Sequence, residues 1–383
     1  MKSKSQLFSS AANGRATKTK EVNSRIINLL INQLNFQKGG ITAMAKKLVL
    51  FFIVSMFMLT LTGMSYAAEW ANPGLLVEPE TVKANAEKPD WVVVDCRDIK
   101  YYAKGHIPGA ISLGKECKKA LRDPSSRVFK DISKYEKLLG KIGIGNDTHV
   151  VFYGEHKVTD TFKDAHVSFW LMEYLGHDNK VHVLNGGIDA WEKAGHKLTN
   201  TPTIKPEKTF KATVVKNRYS STEEVLQIAK GTKNVQLIDA RSKKEYEGED
   251  IRALRGGYIP KTTANIPHTD TMDQMKDPKT GKDVDTGYLS PDRVAGFYKN
   301  FDKNKRTVAY CQTGTRSTLT YLELRLLGFK DPANYDDSWI VWGNNPAKYP
   351  VANEQWINFE RLKKVEEETK QLKESMPKKE EAK

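Results

Sequence analysis

In "RTVAYCQTGTRS" (306–317) an apolar run ends on a cysteine, and an arginine follows five residues later across small polar residues. These types and this spacing suit an activated thiol. The thiolate is the nucleophile, and it forms where positive charge and N–H donors surround the sulfur. "RTVAY" predicts a strand and "STLTYLELRLL" an amphipathic helix. Cys311 therefore falls at the carboxyl end of a strand, where open α/β sheets bind their ligands. A tight loop there turns backbone N–H groups toward the sulfur, helped by Gly314. The helix N-terminus adds partial positive charge and Arg316 a full one. The expected cradle has Cys311 as nucleophile, with Gln312, Thr313, Gly314, Thr315, Arg316 and Ser317 around it.

The other two cysteines read differently. Cys96, inside "VVVDC", is expected to be a small buried hydrophobe. Cys117, in "GKECKKA", sits among lysines and reads as incidental in a surface segment. Three cysteines leave at least one thiol unpaired within the chain, and neither a disulfide framework nor zinc-ligand spacing is indicated. No metal or other cofactor is called for.

The elements that must position Cys311 come from a long repeat. "WVVVDCRDIKYYAKGHIPGAISL" (91–113) matches "NVQLIDARSKKEYEGEDIRALRGGYIPKTTANI" (234–266), and "THVVFYGE" (148–155) matches "RTVAYCQTG" (306–314). "VHVLNGGIDAWEKAG" likewise parallels "PANYDDSWIVWGNNP". Each copy alternates β-branched runs with helical ones, which predicts an α/β fold: two tandem domains, each a mainly parallel sheet with helices on both faces. The expected boundaries are 70–197 and 222–350. The Pro-, Thr- and Lys-rich stretch 198–221 reads as an exposed linker, and the mixed-charge stretch 351–383 as a C-terminal helix or tail.

Of 383 residues, 39% are hydrophobic and 28% charged, a globular composition with a formal net charge of +14. Residues 1–68 hold nine Lys/Arg against one Glu, leaving 52 against 46 for the remainder. That modest excess suits a small anionic substrate. It lacks the basic, aromatic-interleaved patch of a nucleic-acid groove. From Met44, Lys46 and Lys47 precede an apolar run, Leu48–Leu61, and a small-residue cleavage site after Ala67. Residues 44–67 read as a signal peptide, with 1–43 an over-extended gene start. A periplasmic or otherwise exported protein is expected. If the segment is not cleaved, it would anchor the chain in the inner membrane, the one membrane association foreseen.

With these residues assembled, the chain resembles the tandem-domain rhodaneses, thiosulfate sulfurtransferases of exported bacterial type, over roughly 70–350. The resemblance rests on "DCR…GHIPGAI" and "NGGIDAW" in the first copy. In the second it rests on "IDAR…EY", "CQTGTR" and "YDDSW". It implies that Cys311 alone is catalytic, that its first-copy counterpart is Tyr153, and that the first domain is inactive. The thiolate would take a sulfane sulfur from thiosulfate, releasing sulfite, and pass it from a persulfide to cyanide, a thiol or a redox protein. Arg316 would bind the donor's sulfonate, joined by Arg241 unless Arg241 forms a structural salt bridge; Asp239 reads as structural.

The sequence also departs from the family's patterns. Gln312 and Thr313 match neither the Arg-Lys of animal thiosulfate enzymes nor the Gly-Ser of mercaptopyruvate enzymes. Glu245 replaces a substrate-binding arginine, and Asp337 a usual glycine. The donor, thiosulfate or 3-mercaptopyruvate, stays open. An exported persulfide or selenium carrier, or a redox docking protein with little turnover, is the alternative. A phosphatase or arsenate reductase is less favoured, because its C-x5-R loop is one residue longer.

Overall fold

The computed structural model describes residues 69–359 except 126, 159, 277–280 and 282, together with positions 363, 367, 368, 370 and 371. The expected gene start and signal peptide lie outside the described residues. No helix among the described residues is long and apolar enough to cross a membrane.

The first copy runs β1 (Leu76–Val77), α1 (Pro79–Asn85), β2 (Trp91–Asp95), α2 (Ile99–Lys104), β3 (Ala110–Ser112), α3 (Cys117–Ala120), α4 (Ser133–Lys141), β4 (His149–Tyr153), α5 (Phe162–Tyr174), β5 (Val181–Leu184) and α6 (Gly187–Lys193). The second runs α7 (Thr222–Ala229), β6 (Gln236–Asp239), α8 (Lys243–Glu247), β7 (Arg255–Tyr258), β8 (Ala264–Asn265), β9 (Met272–Lys276), β10 (Asp283–Tyr288), α9 (Pro291–Phe297), β11 (Arg306–Tyr310), α10 (Ser317–Leu326), β12 (Asp331–Asn334), α11 (Ser338–Trp342) and β13 (Ala352–Trp356).

Both main sheets are wholly parallel, in the orders β1-β5-β4-β2-β3 and β12-β11-β6-β8. Their strands are buried on both faces, as the unbroken apolar runs "VVV" and "VVFY" require. The repeat is thus an architectural one. Each copy fastens its sheet end with the same device. Arg97 donates to Asp95 through Nε and Nη2 and to the Gly105 carbonyl, while Arg241 does the same to Asp239 and Gly257.

The helices α5 and α10 bring the two copies together. Phe162, Phe169 and Trp170 share one apolar core with Leu319, Tyr321, Leu322 and Leu326. Within it, buried Glu173 accepts from Arg325 at 2.8 Å and from the Tyr321 hydroxyl at 2.6 Å. Truncating either partner would strand a buried charge.

Three expectations need correcting. Cys96 and Cys117 form a disulfide, and Cys117 is buried rather than exposed among its lysines. The folded chain brings together two cysteines 21 residues apart whose spacing matches no framework. The stretch 198–221 is not a free linker. Lys208 and Thr213 donate to the carbonyls of Gly140 and Leu175, and Phe210 is buried, so it straps the first domain. Residues 352–356, expected in the charged tail, form a strand antiparallel to β7, with Arg255 paired to Glu354 at 2.6 Å. Alternating main-chain pairing outweighs the local charge pattern there.

Two stability predictions follow from this packing. Closing a loop of this length is worth about 3 kcal/mol in the chain-entropy account. The pair Cys96→Ala with Cys117→Ala should lower stability by about that amount, read as a fall in the urea midpoint. Glu323, wholly buried on α10, accepts from Thr271 at 2.6 Å and from the Tyr298 hydroxyl. Burial pushes its carboxyl up to about 7 from an ordinary value of 4.5, against the pull of those two hydroxyls. The native state then holds a proton that the unfolded chain has lost, so stability is full below about pH 4.5 and falls as pH rises through about 7. Glu323→Gln should flatten that decline and raise stability at pH 8 by about 2 kcal/mol, measured by melting at pH 5 and pH 8.

Candidate functional site

β11 ends at Tyr310 and α10 begins at Ser317, so residues 311–316 form one tight turn around the Cys311 sulfur. Cys311 is wholly buried and is the free cysteine of the chain. Its own N–H donates to the Ser338 hydroxyl at 3.1 Å, and its carbonyl accepts from Trp339 N–H at 3.0 Å. The Ser317 hydroxyl donates to the sulfur at 3.6 Å, and the N–H groups of Thr313 and Ser317 favour its charged form. Burial alone would push the thiol up. The Arg316 charge and the donors of Ser317 and Thr313 outweigh it, so the thiol lies below its ordinary value.

The Ser317 hydroxyl carries one proton and has two acceptors, the sulfur and Asn334 Oδ1 at 2.6 Å. It can turn toward the sulfur when that atom becomes negative. Gly314 stands at φ +74°, and a Cβ there would lie 2.4 Å from the Asp336 carbonyl. Only glycine fits this corner.

The structure gathers the loop residues named from sequence but gives several of them other work. Arg316 is half of a fork–fork pair with Glu245, both N–O distances being 2.7 Å. Burial opposes the Glu245 charge, but Arg316 and the Ser242 N–H hold its carboxyl down at about 2. The fork expected to take a sulfonate is therefore already filled. Arg316 acts on the sulfur as a fixed positive charge. Arg241 is 1% exposed, tied to Asp239, and its guanidinium carbon lies 4.2 Å from the Trp339 ring centre. It braces the strand end and does not face a donor. Gln312 donates to the Arg252 carbonyl at 2.8 Å, and Thr313 is exposed at the rim. Thr315 accepts from Arg122 through its hydroxyl at 3.1 Å.

The strand registers also correct the expected first-copy counterpart. Asp95 pairs with Tyr153 as Asp239 pairs with Tyr310, so Gly154, not Tyr153, stands where Cys311 does. The carbonyls agree: Gly154 accepts from Ile188 N–H as Cys311 does from Trp339 N–H. A Cβ on Gly154 would sit 2.2 Å from the Thr161 carbonyl oxygen. The first copy has no room for a side chain at this point.

Three residues near the loop were not singled out from sequence. Ser338 occupies a left-handed conformation (φ 52°) where the first copy has Gly187 (φ 60°). The mismatch of "YDDSW" with "NGGIDAW" was the available signal. Ser338 carries strain that Gly187 does not, and its hydroxyl bridges the Cys311 N–H and the Tyr335 carbonyl at 2.6 Å. His268 has a buried Nδ1 with no hydrogen-bond partner among the described residues. Burial, then the charges of Arg316 and Lys163, push it down to about 3, so it is neutral at working pH. Arg252, half exposed beside Glu245, lies at the rim and is paired with Asp250 at 2.6 Å. Asp337, flagged from sequence as added negative charge, pairs with Arg127 at 2.9 Å.

Ser338→Ala keeps the strained backbone and removes the acceptor of a buried N–H. It should reduce the reactivity of Cys311 toward iodoacetamide about tenfold and lower stability by about 1–2 kcal/mol. Ser338→Gly should recover the stability but not the reactivity.

Comparisons with known proteins agree with this architecture. The rhodanese-like domain model matches residues 78–194 and 221–345. A thiosulfate sulfurtransferase of Corynebacterium glutamicum is 30% identical over 288 residues, covering 72% of this chain and 90% of that protein. The sulfur carrier protein TtuD of Thermus thermophilus is 30% identical over 292 residues, covering 72% and 95%. The crystal structure of a 3-mercaptopyruvate sulfotransferase from Escherichia coli superposes with a TM-score of 0.57 at 22% identity, covering 69% of this chain and 98% of that one. The chain belongs to the rhodanese-like family, with two copies of the domain in tandem.

Proposed function

We propose that this protein is a sulfurtransferase that moves a sulfane sulfur from thiosulfate, through a persulfide on Cys311, to a thiophilic acceptor. The observation that carries this is the buried Cys311 sulfur, ringed by loop N–H groups and the Arg316 charge and held below its ordinary pKa. The thiolate attacks the outer sulfur of thiosulfate. A Cys311 S–S bond forms while the donor's S–S bond breaks, and its electron pair leaves on sulfite. The persulfide's terminal sulfur takes over the negative charge that the N–H groups of Thr313 and Ser317 were facing. Cyanide, or a thiol of a small molecule or redox protein, then attacks that sulfur and restores the thiolate. The forks of Arg316 and Arg241 are occupied, so donor charge is met at the rim by the half-exposed Arg252, which must share its guanidinium with Asp250. The 30% identical thiosulfate sulfurtransferase supports thiosulfate as donor.

A second reading is favoured by the full burial of Cys311 and by the 30% identical sulfur carrier protein. In it the persulfide forms but is released only to a protein partner. Export from the cytoplasm is part of the proposal. It is supported by the apolar segment before Ala67 and by the Cys96–Cys117 disulfide, since such bonds persist in oxidising compartments.

Incubating the protein with thiosulfate alone should add one sulfur to its intact mass. The gain should be absent in Cys311→Ala, and cyanide should discharge it as thiocyanate. A persulfide that forms yet resists cyanide and small thiols would favour the carrier. No gain from any sulfane donor would refute both readings.

A further inference from the structure

The loop that receives sulfur is gripped from outside its own domain. Arg122, on the first copy just after α3, reaches across to the second. Its Nη2 donates to the Gly314 carbonyl at 3.2 Å and to Asp336 Oδ1 at 2.6 Å, and its Nη1 to the Thr315 hydroxyl at 3.1 Å. The ion pair is buried, with 1% and 0% of the two side chains exposed. A fork this enclosed is held by geometry, not by surface attraction, and is not screened by salt.

The segment carrying it is itself fixed. The disulfide at Cys117 pins α3 to the end of β2, and the Tyr135 hydroxyl donates to the Leu121 carbonyl at 2.8 Å. Arg122 pairs with Val128 across a short turn, and Asp123 accepts from Arg127 N–H at 3.0 Å within it. Arg127 then binds Asp337 beside the same loop.

We propose that Arg122 of the first copy, which has Gly154 where the second has Cys311, is a positioning residue for the Cys311 loop, and that this grip is what the first domain contributes to the reaction. The reason is peptide geometry. In a trans peptide the C=O and the following N–H point in opposite directions. Arg122 and Asn334 both donate to the Gly314 carbonyl, each at 3.2 Å, and fix its direction. The Thr315 N–H is thereby directed away from Arg122, and the turn that carries the Thr313 and Ser317 N–H groups is held in one conformation. Gly314, at φ +74°, has the freedom to flip that peptide if the grip is lost. Arg122 touches neither sulfur nor donor. It acts through the loop.

This inference rests on the sulfurtransferase reading for its rate measurement but not for its thiol measurement. The full protein would be compared with Arg122→Lys, which keeps the charge on Asp336 without the fork. It would also be compared with Arg122→Met combined with Asp336→Asn, which leaves no buried charge unpaired. Thiolate absorbance at 240 nm, taken against Cys311→Ala, gives the midpoint of Cys311. Mass spectrometry gives the rate of sulfur uptake from thiosulfate. In each variant that melts cooperatively, the midpoint should rise by about one pH unit and uptake should slow about tenfold, with half-saturation in thiosulfate little changed. An unchanged midpoint in a folded variant would overturn the role of Arg122. If the wild type takes up no sulfur, the sulfurtransferase reading fails, and the midpoints still decide for or against Arg122.

Discussion

A thiolate at Cys311 has to exist without water. The residue is wholly buried, and an unpaired ion in such a place costs several kcal/mol. Everything around it addresses that penalty. The Arg316 charge offers attraction, but Glu245 answers it at 2.7 Å through two bonds. The close partners of the sulfur are therefore dipoles: the N–H groups of Thr313 and Ser317 and the Ser317 hydroxyl. Dipoles fall off faster with distance and angle than charges do. The site thus depends on loop geometry as well as on the Arg316 charge.

That dependence explains what the duplicated frame is for. Both copies lock the carboxyl end of the central sheet with an Asp-x-Arg pair whose guanidinium also holds a glycine carbonyl. Both put a tyrosine at the last residue of the neighbouring strand, its hydroxyl accepting from Ile107 or Ile259 N–H. The frame sets where the next residue falls, and there the copies diverge. One has Gly154, pressed against the Thr161 carbonyl; the other has Cys311 with a hydroxyl in place of that pressure. In the same comparison Gly187 relaxes into a left-handed turn, whereas Ser338 holds that conformation under strain and uses its hydroxyl on Cys311 N–H.

Much of this could be read from the chain because it is local. The strand, the small polar loop and the helix that cradle Cys311 lie within one contiguous stretch, and the alternating β and α runs announce two parallel sheets. What could not be read is where a charge spends itself. Arg241 and Arg316 are arginines near a sulfur in sequence, but their carboxylate partners are assigned only by folding. Asp239 stands two residues away and Glu245 71 residues away. The Cys96–Cys117 bond hid for a related reason, because α3 folds back under the sheet end and buries a cysteine flanked by lysines. The one-residue shift from Tyr153 to Gly154 has a different origin. A short apolar run carries no register of its own, whereas hydrogen-bonded strands do.

Charge pairing also explains why a copy with glycine at the cysteine position belongs in this molecule. Near the loop, Asp336 and Asp337 would repel a forming sulfur anion. Arginines of the first copy, Arg122 and Arg127, face both of them. Burial pushes the Asp336 carboxyl up, and the pull of those two arginines opposes it. The surplus hydrogen-bonding capacity of Arg122 goes to Gly314 and Thr315. A single domain of this kind would have to hold its sulfur loop against water and two exposed carboxylates. With the first copy docked through Glu173 and Arg325, the carboxylates become anchors, and the turn around the sulfur is set from outside the loop.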